Sequence, residues 1–159
     1  MSHDEVAPLL WEPNLRELME ERGIREENIR QVLSFANAGK IFHVQPATGH
    51  CLASFTSGKV TYWVEFGREE GGYRIFAAYS HRMRILEGFN LPSKKEPVKT
   101  GWICAKCDVP LALATVKLAY LDETFAVELP SCPTCQRVLV SEEEAVAKMA
   151  LAERMLEDK

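Results

Sequence analysis

Apolar residues recur along this chain with two different periods, and the period changes near residue 50. From Pro13 to Arg22, Leu15, Leu18 and Met19 share one side of a helical wheel, and Gly23 follows. That predicts a short helix with Pro13 in its first turn. From Glu26 to Ala38, Ile29, Val32, Leu33 and Ala36 keep an i, i+3, i+4, i+7 rhythm. That predicts a second helix, with Gly39 as its stop. The rhythm then becomes two. Cys51–Phe55, Val60–Phe66 and Tyr73–Tyr79 alternate or run apolar between the turn signals Ser57-Gly58 and Glu69-Glu-Gly-Gly72. Val60, Tyr62, Val64 and Phe66 fall on one face, and Thr61, Trp63 and Glu65 on the other. Tyr73, Ile75, Ala77 and Tyr79 fall together on one side of the third segment. The prediction is a three-stranded antiparallel meander with the second helix over one face.

Leu91–Thr100 holds two prolines and three lysines with little apolar content, and reads as a linker. Beyond it the period of two returns. Val116, Leu118 and Tyr120 alternate with Lys117 and Ala119, and Phe125, Val127 and Leu129 alternate with Ala126 and Glu128. Asp122-Glu123 sits where a hairpin must turn, and Pro130 is expected to stop the second strand. Ser141-Glu-Glu-Glu144 opens a last helix, with Ser141 as cap and Glu144 completing a capping box. Val146, Met149, Ala150, Ala152, Met155 and Leu156 supply its apolar stripe. The fold class predicted is α+β, with a small α+β domain over residues 1–90, a linker over 91–100 and a hairpin module with a terminal helix over 101–159.

The hairpin module carries the chemistry. Cys104-Ala-Lys-Cys107 precedes the hairpin and Cys132-Pro-Thr-Cys135 follows it, with 24 residues between the pairs. Thiolates two residues apart turn to one side of a tight knuckle. Two facing knuckles make a tetrahedral four-sulfur site suited to Zn(II) or to a single iron. Knuckle, hairpin, knuckle is the plan of a zinc ribbon and of rubredoxin. Rubredoxin-like knuckles usually carry glycine after the second cysteine, where Asp108 and Gln136 stand here, and structural zinc tolerates that change better. Zinc is therefore the metal expected at Cys104, Cys107, Cys132 and Cys135, with iron as the alternative. Free core cysteines and dithiol redox switches are the other readings of such pairs.

Charge and composition narrow the function. Residues 1–90 hold 10 basic and 12 acidic side chains, and residues 91–159 hold 9 and 11. Neither half has the basic footprint of a nucleic-acid binder, so a nucleic-acid-binding ribbon ranks behind the other readings. No run of 18 apolar residues exists, and Met1–Glu5 lacks the basic and apolar regions of a signal peptide. A cytoplasmic location is expected, where paired cysteines favour metal over disulfide. The sequence shows no Ser-His-Asp order, H-E-x-x-H, phosphate loop or dinucleotide fingerprint, so no enzyme acting alone is expected. Cys51 reads as a small buried residue, His50 as a strand-end residue on the opposite face from it, and His81 and Arg82 as surface polar groups.

Trp102-Ile-Cys-Ala-Lys-Cys107, Pro110-Leu111, the hairpin, Leu129-Pro-Ser-Cys-Pro-Thr-Cys135 and the Glu-rich, Met-containing terminal helix together resemble a family of small redox proteins from anaerobic bacteria, including sulfate reducers. The resemblance covers about residues 100–159. It implies an accessory to larger oxidoreductase systems, with oxidoreductase subunits as partners and Cys104, Cys107, Cys132 and Cys135 as the functional residues. Thr61-Tyr-Trp-Val-Glu65 and Tyr79-Ser-His-Arg-Met83 are similar to small domains of flavin or iron–sulfur oxidoreductases.

Overall fold

The computed structural model describes residues 7–69, 71–92 and 99–158. Within them the chain is mixed α+β, mostly strands, with a helix near its C-terminus. The two N-terminal helices are α1 (Leu15–Arg22) and α2 (Glu26–Gly39). The strands are β1 (Leu9–Trp11), β2 (His43–Gln45), β3 (His50–Ser57), β4 (Val60–Glu69), β5 (Gly72–His81), β6 (Arg84–Pro92), β7 (Ile103–Cys104), β8 (Val109–Pro110), β9 (Ala112–Tyr120) and β10 (Glu123–Ser131). A π-helical turn, Glu144–Met149, continues as the α-helix Ala150–Glu157, and the two together are α3. No described helix is long and apolar enough to cross a membrane.

Ile29, Val32, Leu33 and Ala36 of α2 are fully buried, as their spacing predicted. The helix end differs from expectation. Lys40, not Gly39, takes the left-handed conformation at φ 55°. Gly39 answers a close approach instead: a Cβ there would lie 3.2 Å from the Ile41 Cδ1. Helix α1 starts at Leu15, after Asn14 at φ 66°, so Pro13 lies just outside it.

One sheet runs β1-β5-β4-β3-β2-β7-β8 and a second runs β10-β9-β6. Strand β1 is parallel to β5, and the other pairs are antiparallel. The strands expected at 51–55, 60–66 and 73–79 lie inside β3, β4 and β5. The single-face reading of the third is corrected by a β-bulge. Glu65 pairs with Ala77 and Phe66 with Ile75, so Phe76 is passed over. The extra residue inverts the alternation. Tyr73 and Ile75 therefore pack with the N-terminal helices, while Ala77 and Tyr79 pack on the opposite face.

That opposite face is as apolar as the first, which the sequence reading did not foresee. Leu52, Trp63 and Tyr79 meet Val116, Leu118 and Leu129 of the hairpin and Val140, Ala145 and Met149 beyond it in one buried cluster. Segments on both sides of the expected 91–100 linker thus share each sheet: β2 pairs with β7, and β6 with β9. Leu91 and Pro92 of that linker belong to β6, and residues 93–98 lie outside the described residues. Polar bonds cross the same boundary. The Tyr79 hydroxyl donates to the Val140 carbonyl at 2.6 Å. Arg22, which donates to the Ala78 carbonyl at 2.8 Å on its own side, pairs across the boundary with Glu142 at 2.7 Å.

The hairpin turns at Leu121-Asp122, one residue before the position expected, with Tyr120 opposite Glu123. Pro130 does not stop β10, which runs to Ser131. The Pro130 carbonyl turns away from β9 to accept from the Leu139 N–H at 2.9 Å, so its ring nitrogen also faces away from β9 and costs that ladder no bond. In α3, the Ser141 Oγ accepts from the Glu144 N–H at 3.2 Å, as the cap predicted. The buried stripe is shifted, however: Ala145, Met149 and Glu153 face inward, while Val146 and Met155 are exposed. The π turn rotates the residues that follow it, and Glu153 anchors the result. Its buried carboxylate accepts from the Arg82 and Met83 N–H groups at 2.8 and 2.9 Å, holding the β5–β6 turn.

His81 is the largest departure from expectation among the polar residues. It is buried, whereas Arg82 is exposed and pairs with Glu157 at 3.0 Å. The ring sits between two partners with no choice of role. The Met83 carbonyl must accept, so Nδ1 donates to it at 2.7 Å. The Trp63 Nε1–H must donate, so Nε2 accepts from it at 2.9 Å. Only the neutral ring satisfies both. Burial pulls the His81 pKa down to about 4, against the Met83 bond, which raises it.

The sign of the pH effect follows. Below about 6.5 the unfolded chain takes up a proton at His81 that the folded chain refuses until about pH 4. This stability is full above pH 6.5 and is lost as pH falls to 4, by about 3 kcal/mol at most. Urea unfolding of the parent and of His81→Gln at several pH values from 7 to 4 tests it. The stability gap between the two should narrow steadily with acid. A gap independent of pH would show that His81 does not titrate as its two bonds require.

Candidate metal centre

Each cysteine pair sits in a turn closed in the same way. In the first, Cys104 ends β7, the Asp108 N–H donates to the Cys104 carbonyl at 2.8 Å, and β8 returns with Val109 opposite Cys104. In the second, the Gln136 N–H donates to the Cys132 carbonyl at 2.8 Å, and the Cys132 N–H donates to the Arg137 carbonyl at 2.9 Å. A bridge between Ser131 and Val138 continues the second turn outward. Asp108 and Gln136 lie at φ 56° and 65°, the left-handed conformation that glycine takes most readily. The positions where the sequence lacks glycine are thus the positions that need its geometry.

Both turns are braced from outside. The Ala105 N–H donates to the Phe42 carbonyl at 3.0 Å, tying the first to the chain entering β2. Asn90 of β6 donates to the Ser131 Oγ at 2.6 Å and to the Gln136 carbonyl at 2.9 Å, tying down the second. Sequence reasoning missed Asn90. Nothing near it in the chain marks it, because its partners are about forty residues away.

The two turns bring together the four cysteines that the spacing singled out. All four sulfurs lie within 4.8 Å of one another, and Cys104 Sγ is 3.7 Å from Cys135 Sγ. A tetrahedron of sulfurs about 2.3 Å from a central zinc has edges of about 3.8 Å, so the cluster needs only a small contraction to close around a metal. Cys104 and Cys132 are fully buried, and Cys107 and Cys135 lie at the outer side.

Without a cation the sulfurs hinder each other's ionisation. The Cys107 thiol is pushed up to about 12 by desolvation, then by hydrogen bonds with the other three sulfurs and the nearby Cys104 charge. Cys135 is raised by desolvation and by the Cys132 and Cys104 sulfurs, against the Arg137 N–H. Cys132 is the exception: desolvation raises it, but the Cys135 and Thr134 N–H groups bring it below the ordinary thiol value. The Cys135 N–H to Cys132 Sγ distance is 3.4 Å. A bound cation reverses the ordering of these effects, since each sulfur then gains a positive neighbour.

The other expected residues lie elsewhere. Cys51 is buried among the residues packed against the N-terminal helices, its thiol raised by desolvation with Arg68 opposing. His50 is half-buried, with Nδ1 2.6 Å from Glu65 and its ring stacked on Phe76 at 3.7 Å. A histidine that the sequence did not single out, His43, stands opposite Cys104 in the β2–β7 ladder and is buried. Its pKa falls to about 4 through burial, with the Val138 backbone bond raising it and the Arg137 charge lowering it further. The signal that was available is its place in Ile41-Phe-His-Val44, with apolar residues on both sides of it.

Residues 100–159, which contain all four cysteines, match a family described as a domain of unknown function (DUF7479). No curated protein and no solved structure matches the chain.

Two expectations follow. Replacing Cys104, Cys107, Cys132 or Cys135 by serine should each lower bound metal and loosen residues 100–140, because metal binding contributes on the order of 10 kcal/mol to small thiolate modules. Cys51→Ala should keep the full metal complement and cost roughly 1 kcal/mol. Metal analysis of the five variants, with hydrogen exchange, reads both. Two full-occupancy serine variants among the four would rule out a shared four-sulfur site.

Gln136→Gly should stabilise the protein. It relieves a left-handed non-glycine and removes a buried side-chain Oε1 that has no hydrogen-bond partner. The gain expected is about 1 kcal/mol, or roughly 2–4 °C in Tm for a chain of this size. A lower Tm would mean that side-chain packing at Gln136 outweighs both effects.

Proposed function

We propose that the protein is a four-cysteine metal protein in which zinc closes a structural ribbon, and that the closed module serves as a cytoplasmic accessory to a larger oxidoreductase. The observation that carries the metal is the convergence of Cys104, Cys107, Cys132 and Cys135 to within 4.8 Å. Four thiolates complete a tetrahedral shell and leave no open position for substrate, which is the pattern of structural rather than catalytic zinc. Zinc in such a shell supplies a cross-link with no redox chemistry of its own.

The structural role is supported by what the two turns join. The first is bonded to β2 and the second to β6, so a link between them fastens the two sheets together. The accessory role is supported by the resemblance of residues 100–159 to small redox-family proteins. It is supported also by the outer face of α3, where Leu151 and Met155 are 53% and 62% exposed. A second reading, a single iron acting as an electron carrier, is favoured by one observation: Cys107 and Cys135 lie at the outer side of the cluster, where an electron would enter.

Protein purified without oxygen decides between the two. The zinc reading expects one equivalent of zinc and no visible absorption. One equivalent of iron with thiolate-to-iron absorption in the oxidised protein would replace it by the carrier reading. Affinity capture from an anaerobic extract should recover oxidoreductase subunits. Recovery instead of nucleic acid bound in a salt-dependent way would favour a nucleic-acid-binding ribbon.

A further inference from the structure

A cavity of about 80 Å³ lies beside the second cysteine turn, walled by β2, β3, β4, β6 and residues 137–138. A single water needs about 10–15 Å³ on this scale, so the space holds several waters or one small polyatomic ion. Its most telling wall is His43. The residue is 3% exposed, and its Nδ1 has no hydrogen-bond partner. With Nδ1 unpartnered, the Val138 backbone bond, which raises the ring's pKa, falls to Nε2, so the hydrogen sits there and Nδ1 offers a lone pair. A buried acceptor left unpaired in this way calls for a donor.

The remaining polar walls are of one kind. Arg84 and Arg137 line the cavity, with the hydroxyls of Ser54, Thr56 and Thr61. Neither guanidinium is held in an ion pair among the described residues. The charge of Arg137 bears directly on the His43 ring. Thr56 and Thr61 bond to each other at 2.9 Å, which still leaves one of their two hydroxyl hydrogens to donate into the space. Among the described residues no carboxylate lines it. In a chain with net charge −4, two arginines lining one cavity, with no ion pair among the described residues, favour an anion there.

We propose that this cavity binds a small oxyanion that still carries an acidic hydroxyl, of the hydrogenphosphate or hydrogencarbonate class. Arg84 and Arg137 take up the negative charge, and the threonine pair donates to an anionic oxygen. The ligand's own O–H donates to His43 Nδ1. A fully deprotonated oxyanion would set its lone pairs against that of the imidazole. Water satisfies Nδ1 but leaves both guanidinium charges without a counter-charge.

The test is a titration of the full-length, ¹⁵N-labelled protein with inorganic phosphate at pH 7, followed at the His43 ring nitrogens and the Thr56 and Thr61 amides. Sulfate, which has the same shape and no O–H at this pH, is titrated in parallel. Phosphate should give saturable shifts at all three residues, and sulfate should bind at least tenfold more weakly. Arg84→Gln alters an exposed side chain and should keep the amide spectrum while weakening phosphate at least tenfold. Arg137→Gln should do the same. Absence of saturable shifts with both phosphate and hydrogencarbonate at millimolar concentration would overturn the proposal in favour of a water-filled cavity. Equal binding of sulfate would overturn it too, as would unchanged binding in Arg84→Gln.

Discussion

Thiolates repel, and four sulfurs within 4.8 Å of one another cannot all be charged unless a cation sits among them. Everything around the cluster bears on how that tension is held. Asp108 and Gln136 accept left-handed backbone so that each turn closes tightly enough to aim two sulfurs the same way. Phe42 and Asn90 then fix the two turns from different sheets. The cluster is therefore a junction where the two sheets are joined, and neither sheet owns it. Arg137 extends the junction further: its N–H serves Cys135, its carbonyl serves Cys132, and its side chain lines the cavity beside His43.

The candidate site was largely legible because its chemistry is local. Two cysteines separated by two residues declare their turn, and the alternating residues between the pairs declare the hairpin that brings the turns together. The helix α2 was legible for the same reason, since its buried stripe repeats within one element. What escaped depended on contacts far apart in sequence. The bulge at Phe76 has no mark in its own strand and shows only in pairing with Glu65 and Phe66. His81 looked like surface because it stands beside Arg82, yet Trp63, eighteen residues earlier, supplies the donor that lets it be buried. The stripe of α3 was read from apolar residues alone, whereas a carboxylate, Glu153, sets which face turns inward. Strands β2, β6 and β7 were missed because short or irregular segments become strands only when an existing edge is offered to them.

The face of the large sheet carrying Trp63 shows how an assumption about domains propagates. A boundary in the proline- and lysine-rich stretch near residue 95 made the two halves separate in expectation, so the face of Trp63 and Thr61 had no element assigned to cover it. Leu52, Trp63 and Tyr79 instead form one wall of a core whose other wall is the hairpin and α3. Polar composition in a connecting segment does not by itself say whether the parts it joins share one core or form two domains.

The bonds from Tyr79 to Val140, from Glu153 to Met83 and from Arg22 to Glu142 span 61, 70 and 120 residues. Such separations give the chain a high contact order, and the loops they close must be ordered before the contacts that reward them form. During synthesis, the helices and β3–β5 emerge with one apolar face already covered and the other bare. That bare face waits for some sixty more residues before Val140 arrives. The nascent chain is thus at its most adhesive midway through translation, when Trp63 and Tyr79 are outside the ribosome and the segment that buries them is not.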